Sequence, residues 1–259
     1  MEVLTFYSET GGASKTTSAV SIATAAARGR GMKTVLLDLD PRGAATKWTQ
    51  AEPKEEGWTT NAILSQDDVE GYVEDMAVPV SWGGGNLSIV PSSRSVSNRE
   101  SDDSDSDYRL LTALEGLDAD LVVIDAPNRQ GGPLIRAALM ASTGVVYAAT
   151  PDGDGVDGVE GARETVERFT TNLRRIKAPN IVEERGIILN KVWNSPVGFP
   201  KIELASIEDL RATGLLLEPF VPMQTIIKQV RVTGEWFGDY RAGQAPKDQY
   251  EALLEKVMK

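Results

Sequence analysis

Apolar residues in this chain fall into short, nearly unbroken runs separated by polar and glycine-bearing stretches. The runs from about Val3 to Ser8, Thr34 to Leu39, Leu121 to Asp125, Thr143 to Thr150 and Arg185 to Asn190 have the length of strands buried on both faces. Asn86 to Val90 adds a strand ending before Pro91, and Leu215 to Val221 a final one, followed by polar turns. Between them the pattern widens to helical spacing over Lys15 to Arg28, Arg42 to Gln50, about Gly158 to Ile176, and from about Pro246 onward. Gly29 and Gly31 stop the first of these helices. Alternating strands and helices predict an α/β fold, a doubly wound and mostly parallel sheet with helices on both faces. No repeat and no linker divides the chain, so residues 1–259 read as one domain. Its low-complexity stretch is Ser92 to Asp107, where Glu100 to Asp107 holds five acids and three serines; it reads as a flexible, solvated acidic loop.

The first predicted strand runs into Thr10-Gly11-Gly12-Ala13-Ser14 and then Lys15-Thr16-Thr17, which opens a helix. A small-residue loop between strand and helix points backbone N–H groups at an anion. The helix N-terminus favours negative charge, a Lys reaches outer phosphates, and a Thr hydroxyl suits Mg²⁺. The strict phosphate-loop pattern asks for glycine at Glu9 and at Ser14. A glycine-rich turn at a helix start therefore stays open as the alternative for this segment taken alone. Two later runs end in acids. Thr34 to Leu37 leads into Asp38-Leu39-Asp40-Pro41-Arg42-Gly43, and Leu121 to Ile124 into Asp125-Ala126-Pro127. In open α/β sheets ligands gather at the carboxyl ends of strands, so Lys15, Asp38, Asp40 and Asp125 are candidates for one site.

On these residues the chain resembles the ParA/Soj-type partition ATPases of the deviant Walker A family, which also holds MinD. Thr10 to Thr17 parallels the family loop K-G-G-x-G-K-[ST]-[ST], Asp38 to Ala45 its D-x-D-P-Q-G-N-A, and Leu121 to Asn128 its hhhhD-x-P-P. The resemblance implies a Mg²⁺-dependent ATPase cycling between ATP and ADP. Gly11, Gly12, Ala13, Ser14, Lys15, Thr16 and Thr17 would hold the phosphates, and Thr16, Asp38 and Asp125 would serve the metal. Lys15 and Asp40 would serve catalysis, Asp40 by aligning the attacking water. Asn190 would read the adenine edge, with Pro222 and Met223 lining the base pocket. The implied partners are a ParB-like centromere-binding adaptor, a second copy joined through ATP, and nonspecific DNA through Arg211, Lys228 and Arg231, with Lys201 a further candidate. The family's signature lysine, which crosses the dimer, falls at Thr10, and Ser14 stands where the family has glycine. A nucleotide-bound interaction module with little turnover therefore remains an alternative, as does a MinD-like positioning ATPase.

Composition narrows the chemistry. The 259 residues include no Cys and no His, which removes disulfides, thiolate nucleophiles, iron–sulfur ligation and imidazole bases. Hydrolysis here rests on carboxylates, backbone donors, Lys and a hard cation. The formal net charge of −11 argues against nucleic-acid binding by the whole surface and against adhesion to anionic membrane. No apolar run spans a bilayer and no signal peptide is read before the first strand, so the expected location is cytoplasmic.

Overall fold

A computed structural model describes residues 1–102, 104–175, 177, 181–193 and 198–259. Eight strands form one sheet: β1 (Glu2–Tyr7), β2 (Thr34–Asp38), β3 (Val78–Pro79), β4 (Leu87–Val90), β5 (Leu121–Asp125), β6 (Gly144–Ala149), β7 (Glu183–Leu189) and β8 (Leu216–Leu217). Their order is β3-β4-β2-β5-β1-β6-β7-β8. All neighbours run parallel except β3, which pairs antiparallel with β4 at the edge. The expected doubly wound α/β fold is therefore present.

Helices cover both faces. They are α1 (Lys15–Thr24, continued by a π-helical turn over Ala25–Gly29), α2 (Ala44–Thr49), α3 (Thr60–Ser65), α4 (Tyr72–Met76), α5 (Arg109–Ala113), α6 (Pro133–Ala141), α7 (Gly153–Arg175), α8 (Lys201–Ala212), α9 (Thr225–Thr233) and α10 (Gln244–Val257). Successive side chains of a strand point to opposite faces, and the central strands use both. Leu36, Leu121 and Val123 enter one apolar layer with α1, α2 and α10, while Val35, Leu37, Val122 and Ile124 enter the layer under α4, α5 and α6. A third layer packs β6 and β7 on α7 and α8. This burial on both sides is why these strands carry so few polar residues.

Several elements depart from the sequence reading. The final strand has two residues rather than seven, and the chain then makes a single bridge from Pro222 to Val192. The polar turns expected after it contain α9. The acidic stretch is helical in its described part, as 3₁₀ segments Arg94–Ser101 and Ser104–Tyr108; Asp103 lies outside the described residues. The segment does not stand wholly in solvent. Val96 and Asp107 are buried, Asp107 pairs with Arg136 at 2.7 Å, and Glu100 pairs with Arg129 at 2.5 Å. Arg129, just before α6, and Arg136, within it, give these acids partners, which composition alone does not reveal.

Candidate phosphate-binding site

The carboxyl ends of β1, β2 and β5 lie side by side. Phe6 and Asp38 are both in register with Asp125, so the two acids are lateral neighbours in the sheet. The loop after β1 turns through Gly12 at φ 89° and Ser14 at φ 67°, then enters α1 at Lys15. These left-handed turns bend the backbone around a cavity of about 400 Å³. The loop residues Gly11 to Thr17 line it, with Asp40 and Arg42 from the β2–α2 loop. Asn190 and Lys191 close it from the end of β7, and Val221 to Gln224 from the far side. The fold thus brings Gly11, Gly12, Ala13, Ser14, Lys15, Thr16, Thr17, Asp40, Asn190, Pro222 and Met223 to one cavity.

Lys15 is buried and makes no ion pair with any described residue. Burial lowers its pKa, and the charges of Asp125 and Asp40 act against that. Asp125 is 0% exposed, and neither carboxylate oxygen has a hydrogen-bond partner. Its pKa is pushed up to about 6, chiefly by burial, with Lys15 and then the nearby Thr16 hydroxyl, which does not reach hydrogen-bonding geometry, opposing. A fully buried carboxylate with both oxygens free costs free energy and calls for a missing partner.

Asp38 is also fully buried, but its oxygens are used. Oδ2 accepts from the Thr46 amide and hydroxyl, each at 2.8 Å, and Oδ1 from the Asp40 amide at 3.2 Å. Burial and then Asp125 push its pKa up to about 8. The structure thus gives Asp38 the work of tying β2 to the start of α2, rather than the free oxygens expected of a metal ligand. Among the described residues, no group of three or more acids stands arranged to hold a metal. Asp40 faces the cavity, and its Oδ1 accepts the Arg42 amide at 2.9 Å, which fixes the loop after β2.

Three further sets of expected residues have surroundings that the sequence did not show. The Asn190 amide lines the cavity but is already engaged: Oδ1 accepts from the Tyr250 hydroxyl at 2.7 Å and the Ser18 hydroxyl at 3.2 Å, and its nitrogen donates to the Ile188 carbonyl at 3.1 Å. Thr10 turns from the cavity and donates to the Asp154 carbonyl at 2.8 Å. The three basic candidates for DNA do not share one face. Arg211 sits on α8 beside Glu218 at 3.6 Å, whereas Lys228 and Arg231 of α9 line the cavity. Lys201 begins α8, exposed.

Sequence reasoning missed Lys191, Gln224 and Ile227 as cavity residues. The signal was there in part. Gln224, Ile227, Lys228 and Arg231 follow the i, i+3, i+4, i+7 spacing of one helix face, and all four line the cavity. The Thr-Ile-Ile opening and the Val-Arg-Val-Thr end are β-branched and hide that helix.

Comparison with known proteins agrees with this geometry. Residues 1–177 match the family model AAA_31, described as an AAA domain. No curated protein matches the chain by sequence. Among solved structures, an ATP complex of a McdA variant from Cyanothece superposes with a TM-score of 0.84 at 20% identity, covering 100% of this chain and 96% of its own. Cobyrinic acid a,c-diamide synthase from Mycobacterium smegmatis, with ADP and magnesium, gives 0.73 at 22% identity over 98% and 94%. A plasmid partition protein from Borrelia burgdorferi gives 0.73 at 18% identity over 99% and 97%. At these identities the likeness is one of fold.

Proposed function

The chain belongs to the AAA_31 family of AAA-domain proteins, and from that premise we propose that it is an ATP-binding, magnesium-dependent positioning ATPase of the ParA/MinD type. The observation that carries the reading is Asp125, fully buried beside Lys15 with neither oxygen satisfied. A hard cation is the partner such a carboxylate suits, and the Thr16 hydroxyl and phosphate oxygens complete an all-oxygen set of the kind magnesium takes. Bound there, the ion would neutralise charge on the outer phosphates.

The residues divide the remaining work. Backbone amides from Gly11 to Thr17 cradle the phosphates at the mouth of α1. Lys15 contributes a buried ammonium that has no competing ion pair, so its charge is available to the phosphate oxygens. Asp40 orients the attacking water. An ionised carboxylate is a weak base, so Asp40 acts by alignment and turnover is slow. Asp38 holds the loop that carries Asp40. Pro222 and Met223 flank the base, while Asn190 fixes the floor under it through Tyr250 and Ser18. We read residues 1–259 as one domain working with a centromere-type adaptor and a second copy of the chain. No helix among the described residues is long and apolar enough to cross a membrane.

The lack of a cation at Thr10 favours a second reading, a nucleotide-bound interaction module with little turnover. Calorimetric titration with ATP·Mg²⁺ and a phosphate-release assay test both. Lys15→Ala is expected to lose ATP binding. Asp40→Ala is expected to keep ATP and lose turnover. Asp125→Ala is expected to weaken binding only when Mg²⁺ is present. Parental affinity in Lys15→Ala would remove the nucleotide assignment, and a parent that binds ATP without releasing phosphate would leave the second reading in place.

A further inference from the structure

The cavity carries more positive charge than a phosphate loop needs. Five cations line it: Lys15, Arg42, Lys191, Lys228 and Arg231. Asp40 is the sole acid among the lining residues. None of the five makes an ion pair with a described residue, although the whole chain carries a net charge of −11 and its other surface cations include many paired ones. Like charges held together repel one another, and the acids that act on Lys15 and Lys191, namely Asp125, Asp40 and Asp152, are fewer than the cations.

Two of these cations, Lys191 and Arg231, are held in place by contacts of their own. Lys191 stands in the left-handed region at φ 57° and donates from Nζ to the Gly12 carbonyl at 2.5 Å, so its charge sits on the phosphate loop. Lys228 and Arg231 lie three residues apart on one face of α9. The Arg231 guanidinium rests over the Trp48 ring, 5.8 Å from its centroid, which shields one face and leaves its edge donors unused. Their fields overlap at the loop: Lys228 and Arg231 both lower the pKa of Lys191, after burial, and Arg231 acts on Asp125. Meanwhile Thr10 offers no charge and is turned to α7.

We propose that Lys228 and Arg231 of α9, with Lys191, form a phosphate clamp within one chain, so that a single copy neutralises the outer phosphates of a nucleoside triphosphate without a cation from a partner. The proposal rests on the nucleotide-binding reading above. The clamp favours a triphosphate over a diphosphate, because the added charge meets added phosphate oxygens. Arginine is suited to the task, since its fork offers two donors to one phosphate group. α9 and Lys191 both lie beyond residue 177, where the match to the family model ends.

The test titrates ATP·Mg²⁺ and ADP·Mg²⁺ calorimetrically into the parent, Lys15→Ala, Lys228→Gln, Arg231→Gln, the Lys228→Gln/Arg231→Gln double variant and Arg231→Lys. Sedimentation velocity with a nonhydrolysable ATP analogue accompanies it. Thermal unfolding shows which variants remain folded. The expected result is a parent that already binds ATP at concentrations where it sediments as a monomer, before a second copy joins, with affinity for ATP falling about tenfold or more in each glutamine variant. The loss for ADP is smaller, and Arg231→Lys recovers part of the ATP affinity. Unchanged ATP affinity in a folded double variant, with binding lost in Lys15→Ala, overturns the clamp and leaves the nucleotide site standing. Unchanged affinity in both overturns the nucleotide reading and the clamp with it. Equal losses for ATP and ADP overturn the triphosphate preference. If the double variant loses affinity for double-stranded DNA while keeping that for ATP, α9 is a nucleic-acid surface and the clamp is wrong.

Discussion

Ser14 has φ 67° and ψ 26°, a backbone region where a side chain costs about 1–2 kcal/mol relative to a right-handed one. Glycine at this position relieves that cost and adds back some chain entropy in the unfolded state. Ser14→Gly is therefore expected to raise stability by about 1 kcal/mol in urea denaturation, with ATP affinity preserved; a lower midpoint would show that the serine is held by more than its neighbours reveal. The paired acids behind the loop make stability depend on pH. Burial raises the folded pKa of Asp38 from 3.8 to about 8 and that of Asp125 from 3.8 to about 6. A folded value above the unfolded one means that this contribution is fully present below pH 3.8 and is lost as pH rises, through about 6 for Asp125 and about 8 for Asp38. Asp38→Asn carries no ionisable group there. In nucleotide-free protein it is expected to gain on the parent as pH rises across that window, measured by denaturation at a series of pH values. A constant difference between the two would mean that Asp38 stays charged in the fold.

Helix α7 shows how glycines read one way in sequence and another in the fold. The expected start was Gly158, yet the helix begins at Gly153 and runs through four glycines, at 153, 155, 158 and 161. A Cβ at Gly158 would stand 2.2 Å from the Thr10 hydroxyl oxygen, and one at Gly161 2.3 Å from Glu9. The glycines let the helix approach the phosphate loop, where Glu9 N–H donates to the Gly158 carbonyl at 3.2 Å. Gly158→Ala is expected to destabilise by about 1–3 kcal/mol and to weaken ATP binding as the loop is displaced. Denaturation and titration on one sample would separate the two effects, and an alanine that leaves both unchanged would show that the loop yields freely. The strands with nearly continuous apolar runs, β1, β2, β5, β6 and β7, were legible because two-sided burial leaves them few polar positions. Helix α9 is rich in Ile, Val and Thr, so local preference masks it. With α9 hidden, Lys228 and Arg231 were legible only as candidate DNA contacts and not as cavity residues. The Asn190 amide illustrates the other limit: its type suggests base recognition, while its partners Tyr250 and Ser18 are distant in sequence and appear only on folding.

Across the whole molecule, charge is divided between an acidic body and a basic cavity mouth. Steering of an anionic ligand by such a field weakens as salt shortens its reach. The association rate of a fluorescent ATP analogue is expected to fall with ionic strength, and to fall less steeply in Lys228→Gln, by stopped-flow mixing. Equal slopes would mean that the body's field governs the encounter. The sheet also joins distant parts of the chain. Central β1 pairs with β5 and β6, and the first helix packs under α10, whose Tyr250 reaches Asn190. That order has a meaning for synthesis on the ribosome, where residues emerge at about 5–20 per second. Strand β1 waits for residue 121 before its first partner exists. The alanine-rich face of α1 waits for the final helix to leave the exit tunnel. For nearly half of its manufacture the nascent chain therefore holds its central strand unpaired, and a chain stalled before Gln244 would present that face to chaperones instead of to α10.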